Sequence, residues 1–213
     1  MADTDVRAPT KMLKVGLTGS IAVGKSYICE VLRELGAFVL DADVTAREVV
    51  EPNTIGLRQI VEHFGAEILR ENGELDRIKL GAIIFGDERK RQLLNSIVHP
   101  LVFEAQNEWI SGCEKAAPHG IAVIDAALMI ESGSYQRFNK LIVMWCEPTI
   151  QLQRLMLRNA LSEAEALRRI NAQMPQEEKK RFADFLIDTS GGFKAARERT
   201  IEIFGQLKLL VDT

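Results

Sequence analysis

The chain has 213 residues, of which 27 are Lys or Arg, 30 are Asp or Glu, and 46% are hydrophobic. This composition is typical of a globular protein and excludes a collagen-like, mucin-like or disordered chain. The formal net charge of −3 provides no overall positive field that would attract a phosphate backbone, so we expect no nucleic-acid partner.

The sequence also carries information on the cellular compartment. The three cysteines, Cys29, Cys113 and Cys146, form no Cys-x-x-Cys or Cys/His pattern, which indicates buried thiols in a reducing compartment. Residues 1–11 lack the basic and apolar regions of a secretion signal, and we expect them to form a disordered lead. No apolar run approaches the roughly 18 residues that a membrane span requires. We therefore predict a cytoplasmic protein with no membrane partner.

The hydrophobic pattern predicts a sheet of short apolar strands. The predicted strands are residues 13–17, 37–40, 121–124, 141–145 and, as the weakest candidate, 185–187. A glycine-rich turn follows the first strand, and residues 25–35 form a helix that ends at Gly36. This strand, turn, helix, strand order implies parallel pairing, and runs that are apolar on both faces imply helices on both sides of the sheet. We expect a three-layer α/β fold with a parallel five-stranded sheet, covered by a last helix over residues 194–211.

Two helical insertions interrupt this predicted core, which comprises residues 12–43, 119–147 and 183–213. The first insertion, residues 44–118, is far longer than an ordinary crossover. Its predicted helices are residues 45–50, 55–64, 78–85, 88–98 and a longer helix that begins near Pro100. The second insertion, residues 148–182, has predicted helices at 149–158, 162–172 and 176–182. Ser162 and Glu165 predict a capping box at the start of the middle one.

The turn after the first strand carries a phosphate-binding motif. The pattern G-x-x-x-x-G-K-[ST] is matched by Gly19-Ser20-Ile21-Ala22-Val23-Gly24-Lys25-Ser26. In such a loop the backbone N–H groups and the helix N-terminus face the phosphates, the lysine reaches the β- and γ-phosphates, and the serine hydroxyl binds Mg²⁺. The sequence therefore predicts a nucleoside triphosphate site on a fold of the P-loop NTPase class.

Three kinds of protein use this loop, and the sequence separates them. A GTPase needs an Asn-Lys-x-Asp guanine reader, whereas Asn139-Lys140 opens a predicted strand and lacks the aspartate. The D-x-x-G pattern at Asp188 to Gly191 comes too late in strand order to be a GTPase switch. The chain is also short for a motor or transporter ATPase. A kinase of a small substrate fits its size.

Acidic residues follow three of the predicted strands, where open parallel sheets bind ligands. In phosphoryl transfer to an alcohol, one carboxylate can accept the hydroxyl proton while others hold Mg²⁺ or its waters. Of Asp41, Asp43 and Asp125, we predict Asp43 as the general base and Asp125 as the carboxylate at the metal. The alternative for each is a helix cap or a turn residue. Arg47 lies one helical turn after Asp43, which favours an anion-binding role over a surface ion pair.

The second insertion carries arginines at helical spacing. Arg154 and Arg158 share one helix face, and Arg168 and Arg169 follow on the next predicted helix. On a mobile lid such cations can reach the oxygens of the transferring phosphoryl group and exclude water. The alternative is an ordinary solvated face. By itself His99 is more typical of a cap or a core group than of a catalyst.

The motifs together resemble one kinase family. After the phosphate loop, the chain carries Asp41-Ala42-Asp43, Leu75-Asp76-Arg77 and His99-Pro100 in this order. The series resembles the dephospho-CoA kinase family over about residues 13–192. The resemblance implies ATP-dependent phosphorylation of the ribose 3′-hydroxyl of dephospho-CoA, the last step of coenzyme A synthesis, with Mg²⁺. We expect a monomer or a weak homo-oligomer.

The resemblance also implies roles for individual residues. Asp43 would be the base, and Lys25 and Arg154 would stabilise the transferring phosphoryl group. The implied acceptor-binding residues are Asp43, Arg47, Arg77, His99 and Leu128. The implied ATP-binding residues are Gly19, Ser20, Ile21, Ala22, Val23, Gly24, Lys25, Ser26, Tyr27, Arg154 and Arg158, and the implied metal-binding residues are Ser26 and Asp125.

The chain departs from the family pattern at three places. The phosphate loop has fewer glycines between Ser20 and Val23, Ala127 and Ile130 replace a proline and an aromatic residue, and Thr189 replaces an asparagine. The last change concerns a loop expected near the adenine base.

Two other functions fit the same motifs: a kinase of another small alcohol or nucleoside, and an ATP-binding regulatory or assembly protein without catalysis.

Overall fold

The computed structural model describes residues 12–211, so the lead predicted over residues 1–11 lies outside the described residues. The five strands are β1 Leu13–Gly19, β2 Phe38–Asp41, β3 Ile121–Asp125, β4 Lys140–Trp145 and β5 Phe185–Asp188. The helices are α1 Lys25–Glu34, α2 Ala42–Glu48, α3 Ile55–Phe64, α4 Arg77–Ile84, α5 Glu88–Ala116, α6 Pro148–Asn159, α7 Glu163–Asn171, α8 Gln176–Lys180 and α9 Gly192–Val211. Short 3₁₀ helices lie at Ala66–Ile68 and Ser134–Arg137.

The strands form one sheet in the order β2-β3-β1-β4-β5. The pairings of β1 with β3, β1 with β4 and β4 with β5 are parallel. Every residue of β3 is buried. Because successive side chains of a strand point to opposite faces, burial of all of them requires cover on both sides of the sheet. The predicted α/β architecture is confirmed, including the weak fifth strand.

The chain divides into two compact units. Among the described residues, the first comprises 12–40 and 112–211, and its core packs the strands against buried side chains of α1 and α9 such as Ile28, Leu32 and Phe204. The second is Asp41–Ser111, and its core contains the buried side chains of Val50, Leu57, Ile60, Phe64, Ile68, Leu75, Leu80 and Ile97. None of the helices within residues 12–211 has the length and hydrophobicity that a transmembrane helix needs.

The predicted helix boundary near Pro100 is wrong, because α5 runs through it over 29 residues. Proline lacks the N–H that would bond one turn back, and its ring crowds that turn, which together cost about 3 kcal/mol. Four side chains of this helix, Ile97, Val102, Ile110 and Cys113, are at least 92% buried. Each buried apolar side chain contributes roughly 1.5–3 kcal/mol, so packing on both sides of the proline outweighs the local penalty.

Capping accounts for other helix boundaries. Helix α2 begins at Ala42, three residues before the predicted start, because Asp41 Oδ1 accepts the N–H of Asp43 at 2.8 Å and that of Val44 at 3.3 Å. The predicted capping box of α7 is confirmed, with Glu165 Oε2 accepting the Ser162 N–H at 2.9 Å and Ser162 Oγ accepting the Glu165 N–H at 3.4 Å. Both arrangements satisfy N–H groups that a helix start leaves without partners.

Candidate active site

The phosphate loop connects the end of β1 to the start of α1. A Cβ on Gly19 would lie 2.7 Å from the Met144 carbonyl oxygen, so only glycine fits there. Gly24 has a φ of 90°, in the region that favours glycine. Ala22 has a φ of 65°, which costs a residue with a Cβ roughly 1–2 kcal/mol. The loop therefore forms its turn with alanine at this position, at the cost of a strained backbone at Ala22.

Ser20 contributes a free polar atom to this loop. Its Oγ is buried and, among the residues that the structure describes, has no hydrogen-bond partner. Buried polar atoms in proteins nearly always have partners. An orphaned hydroxyl in a phosphate loop therefore fits a ligand oxygen as its partner.

Lys25 and Asp125 form a largely buried ion pair at this loop. Parallel pairing of β1 and β3 aligns Leu17 with Asp125 and thereby brings the end of β3 beside the loop. Lys25 Nζ donates to Asp125 Oδ1 at 2.5 Å, and the two side chains are only 17% and 10% exposed. Asp125 Oδ2 also accepts from Cys29 Sγ at 3.4 Å. The pair holds the lysine ammonium at the site where the motif predicts a triphosphate.

The residues here fit a magnesium ion bound partly through its substrate. Within residues 12–211 no group of three or more His, Cys, Asp or Glu side chains could hold a metal. Mg²⁺ usually keeps several waters and binds through one or two protein oxygens and the substrate phosphates, rather than in an all-protein cage. The Ser26 hydroxyl at the start of α1 and the Asp125 carboxylate at the end of β3 offer that donor set.

A cavity of about 540 Å³ adjoins the phosphate loop. It brings together six of the residues predicted to bind ATP, Thr189, whose loop was expected near the adenine base, and residues that the motifs did not indicate, such as Phe193. Its lining residues are Ala22, Gly24, Ser26, Tyr27, Arg154, Leu157, Arg158, Thr189, Gly192, Phe193 and Ala196. The ring centroids of Tyr27 and Phe193 are 4.7 Å apart. Aromatic and aliphatic walls with two arginines suit a purine nucleotide, which has an apolar base and anionic phosphates.

Thr189 connects Arg154 to the phosphate loop. Arg154 Nη1 donates to Thr189 Oγ1 at 3.0 Å and its Nη2 to the Thr189 carbonyl at 2.8 Å. The same hydroxyl donates to the Val23 carbonyl at 2.9 Å. Thr189 is 5% exposed. Thr189 therefore holds Arg154 of α6 next to the loop.

A second cavity, of about 430 Å³, lies within the unit Asp41–Ser111. Arginines from three segments line it, and two of them, Arg47 and Arg77, are predicted acceptor-binding residues. Its full lining is Arg47, Val50, Glu51, Pro52, Arg70, Glu74, Leu75 and Arg77. The motifs missed Arg70. A tight turn at Gly73, with φ 80°, brings Arg70 and Glu74 together, and their side chains pair at 3.6 Å. Three arginines outnumber the two glutamates of this lining, Glu51 and Glu74, and the net positive charge suits an anionic ligand.

The other predicted acceptor residues lie on different segments. Asp43 is exposed in the first turn of α2, one helical turn before Arg47. His99 is on α5, with its ring centroid 6.0 Å from that of Phe103. Leu128 follows β3 in the first compact unit and is 52% exposed.

The three cysteines are free and buried. Burial raises the pKa of the Cys29 thiol to about 12, with a further contribution from the Asp125 carboxylate, and burial also raises the pKa of Cys113 and Cys146. Thiolate is the reactive form. We therefore expect a disulfide reagent to label none of the three quickly at about pH 8 in the native protein and all three in guanidinium chloride. Rapid labelling of Cys29 before unfolding would contradict this.

Comparison with known proteins agrees with the geometry. A family model described as CoaE, dephospho-CoA kinase, matches residues 13–195. A dephospho-CoA kinase from Geobacillus kaustophilus is 44% identical over 91% of this chain and 96% of its own, and a dephospho-CoA kinase domain-containing protein from Danio rerio is 44% identical over 92% and 86%.

Solved structures give the same result at lower identity. TT1252 from Thermus thermophilus superposes with a TM-score of 0.80 at 28% identity, over 92% of this chain and 97% of its own. A dephospho-CoA kinase from Campylobacter jejuni gives 0.69 at 28% identity, over 92% and 96%. With a family model that covers most of the chain and relatives above 40% identity over nearly their full length, the chain belongs to the dephospho-CoA kinase family.

Proposed function

We propose that this protein transfers the γ-phosphoryl group of ATP to the ribose 3′-hydroxyl of dephospho-CoA, forming coenzyme A and ADP. The observation that carries the proposal is the Lys25–Asp125 pair at a phosphate loop that adjoins a nucleotide-sized cavity, in a chain of the dephospho-CoA kinase family. Residues 44–118 then bind the acceptor, and residues 148–182 form the lid.

On the ATP side, the phosphate loop binds the triphosphate and the 540 Å³ cavity receives the adenosine. Lys25 leaves Asp125 for the β- and γ-phosphates, because the triphosphate offers it a stronger anion. Arg154, held at the loop by Thr189, donates N–H groups to the phosphoryl oxygens as charge shifts in the transition state. Mg²⁺ neutralises phosphate charge when it is bound, and Ser26 and Asp125 are the residues that would hold it.

The transfer itself exchanges one oxygen–phosphorus bond for another. The 3′-oxygen of the acceptor bonds to the γ-phosphorus as Asp43 accepts its proton, and the bond from that phosphorus to the β–γ bridging oxygen breaks to release ADP. Asp43 is an exposed residue in the first turn of α2.

The acceptor side uses the second compact unit. Dephospho-CoA carries a diphosphate, and the cavity with Arg47, Arg70 and Arg77 has more arginines than glutamates, so it offers a positive surface for that diphosphate. We propose that His99 and Leu128 also bind this substrate, as the resemblance to the family implies. We propose that the enzyme acts in the cytoplasm as a monomer or weak homo-oligomer, and its three buried cysteines, which follow no pairing pattern in the sequence, fit a reducing compartment.

A coupled assay of ADP release tests the function directly. The reaction contains ATP and Mg²⁺, with or without dephospho-CoA, and adenosine and shikimate serve as control acceptors. We expect turnover only with dephospho-CoA, and a new 3′-phosphomonoester in the ³¹P NMR spectrum of the product. Turnover with a control acceptor instead would identify a kinase of another substrate. ADP release that needs no acceptor, or nucleotide binding without turnover, would favour a regulatory protein.

A further inference from the structure

Two glutamines of the second insertion hold one residue of the phosphate loop. The Ile21 N–H donates to Gln173 Oε1 at 2.8 Å, from the connection between α7 and α8. The Ile21 carbonyl accepts from Gln151 Nε2 at 2.9 Å, from the first turn of α6. Side chains from two separate segments of the insertion therefore bind both backbone polar groups of this residue.

Gln176 determines the orientation of Gln151. Gln176 Oε1 accepts the Cys146 N–H at 3.0 Å, and its Nε2 donates to the Cys146 carbonyl at 3.1 Å. The same Nε2 donates to Gln151 Oε1 at 2.8 Å. Because Gln151 Oε1 is thereby the acceptor, its Nε2 must face the Ile21 carbonyl. Gln151 is 2% exposed, and a buried network in which every member is satisfied is rigid.

The phosphate loop needs such support from outside. Its internal bond from the Val23 N–H to the Ser20 carbonyl is long, at 3.4 Å. Ala22 adopts a φ of 65°, which a residue with a Cβ tolerates only when its surroundings impose it. Ile21 lies between these residues, so bonds to its N–H and its carbonyl fix the strained turn directly.

We propose that Gln151 and Gln173 are positioning residues for ATP, which hold the phosphate loop in the shape that binds the triphosphate. They act through Ile21, and Gln176 acts through Gln151. The proposal rests on the proposed function for its ATP substrate. Displacement of catalytic groups by about 1 Å can lower a rate by about 10²-fold. Loss of either bond should therefore lower the affinity for ATP and the rate of transfer, and leave binding of the acceptor unchanged.

The test compares Gln151→Met and Gln173→Met with Gln206→Met, which changes an exposed glutamine on α9. We expect the first two variants to raise the Kd for ATP, measured without acceptor, and to lower kcat by about 10- to 100-fold. The KM for dephospho-CoA and all constants of Gln206→Met should stay within about twofold of the parent values, a difference below about 0.4 kcal/mol. The melting temperature of each variant is measured in parallel.

A pH profile of Gln151→Glu adds a signature of the hydrogen bond itself. A neutral carboxyl group can still accept from Gln176 and donate to the Ile21 carbonyl, whereas the carboxylate cannot donate. Burial raises the pKa of a carboxyl group, so the Glu side chain should become neutral as the pH falls from about 8 to about 6. The kcat/KM of Gln151→Glu for ATP, relative to that of the parent protein, should therefore rise over this range.

Three results would overturn the proposal: parental ATP affinity and kcat in both Met variants, a rise in the KM for dephospho-CoA as large as the rise in the Kd for ATP, or a flat relative pH profile. If Gln151→Met fails to fold, Gln173→Met decides the test, because Gln173 is only partly buried. Failure of the proposed function gives a different result. In that case the parent protein does not phosphorylate dephospho-CoA, while the Met variants still bind ATP more weakly.

Discussion

Asp43→Asn should lower kcat by about 10²–10⁴-fold, the contribution typical of a general base. The amide has nearly the shape of the carboxylate but cannot accept the proton of the 3′-hydroxyl. The affinity for ATP should stay within about twofold, because the nucleotide cavity is built entirely from the first compact unit, whereas Asp43 belongs to the second. Rapid-quench measurement of single-turnover rates, with calorimetric titration of ATP, checks both expectations.

Asp41→Asn provides the matched comparison for this variant. It removes the same charge two residues earlier, and the Asn side-chain oxygen can still cap α2 as Asp41 Oδ1 does. We expect its kcat to fall far less than that of Asp43→Asn. A larger loss in Asp41→Asn would transfer the role of base to Asp41, and full activity in Asp43→Asn would remove Asp43 from the mechanism.

Lys25→Met should lower kcat/KM for ATP by about 10³-fold or more. A single preorganised donor to developing charge is worth about 10²–10³-fold in kcat, and the ammonium also contributes to ATP binding. The variant should be less stable as well, by about 3 kcal/mol, because Asp125 is left in a largely buried site without its cation. Steady-state kinetics and urea unfolding measure the two effects separately.

The double variant Lys25→Met/Asp125→Asn separates stability from catalysis. Neutralising the remaining buried partner should restore much of the free energy of unfolding but none of the activity. Lys115→Met, at an exposed lysine on α5, controls for the loss of a positive charge. Unchanged kinetics in Lys25→Met would show that this loop does not bind the triphosphate.

Features that depend on neighbouring residues could be predicted from the sequence of this protein. The phosphate loop needs glycine, lysine and serine at fixed spacing between a strand and a helix, and all of these are neighbours in the chain. The start of α7 at Ser162 likewise depends on a side chain and the next few N–H groups. Strands buried on both faces appear as short apolar runs. The fold class, the order of elements and the family series follow from such short-range patterns.

Other features depended on packing between distant segments. Helix α5 continues through Pro100 because buried side chains on both sides outweigh the local penalty of the proline. The sequence near Pro100 does not show how deeply these side chains are buried. Phe193 reaches Tyr27 from the start of α9, one residue before the helix that was predicted over residues 194–211 to cover the sheet. Arg70 joins the arginine cavity through a turn at Gly73.

Sequence therefore identified the residue types that the chemistry needs, and tertiary structure selected their partners. Asp125 was recognisable as an acidic residue after a strand, but its pairing with Lys25 requires the register between β1 and β3. The bonds from Gln151 and Gln173 to Ile21 join residues 130 and 152 positions apart. Hydrogen bonds and ion pairs act over a few ångströms in space whatever the separation along the chain, so only the folded structure determines which groups meet.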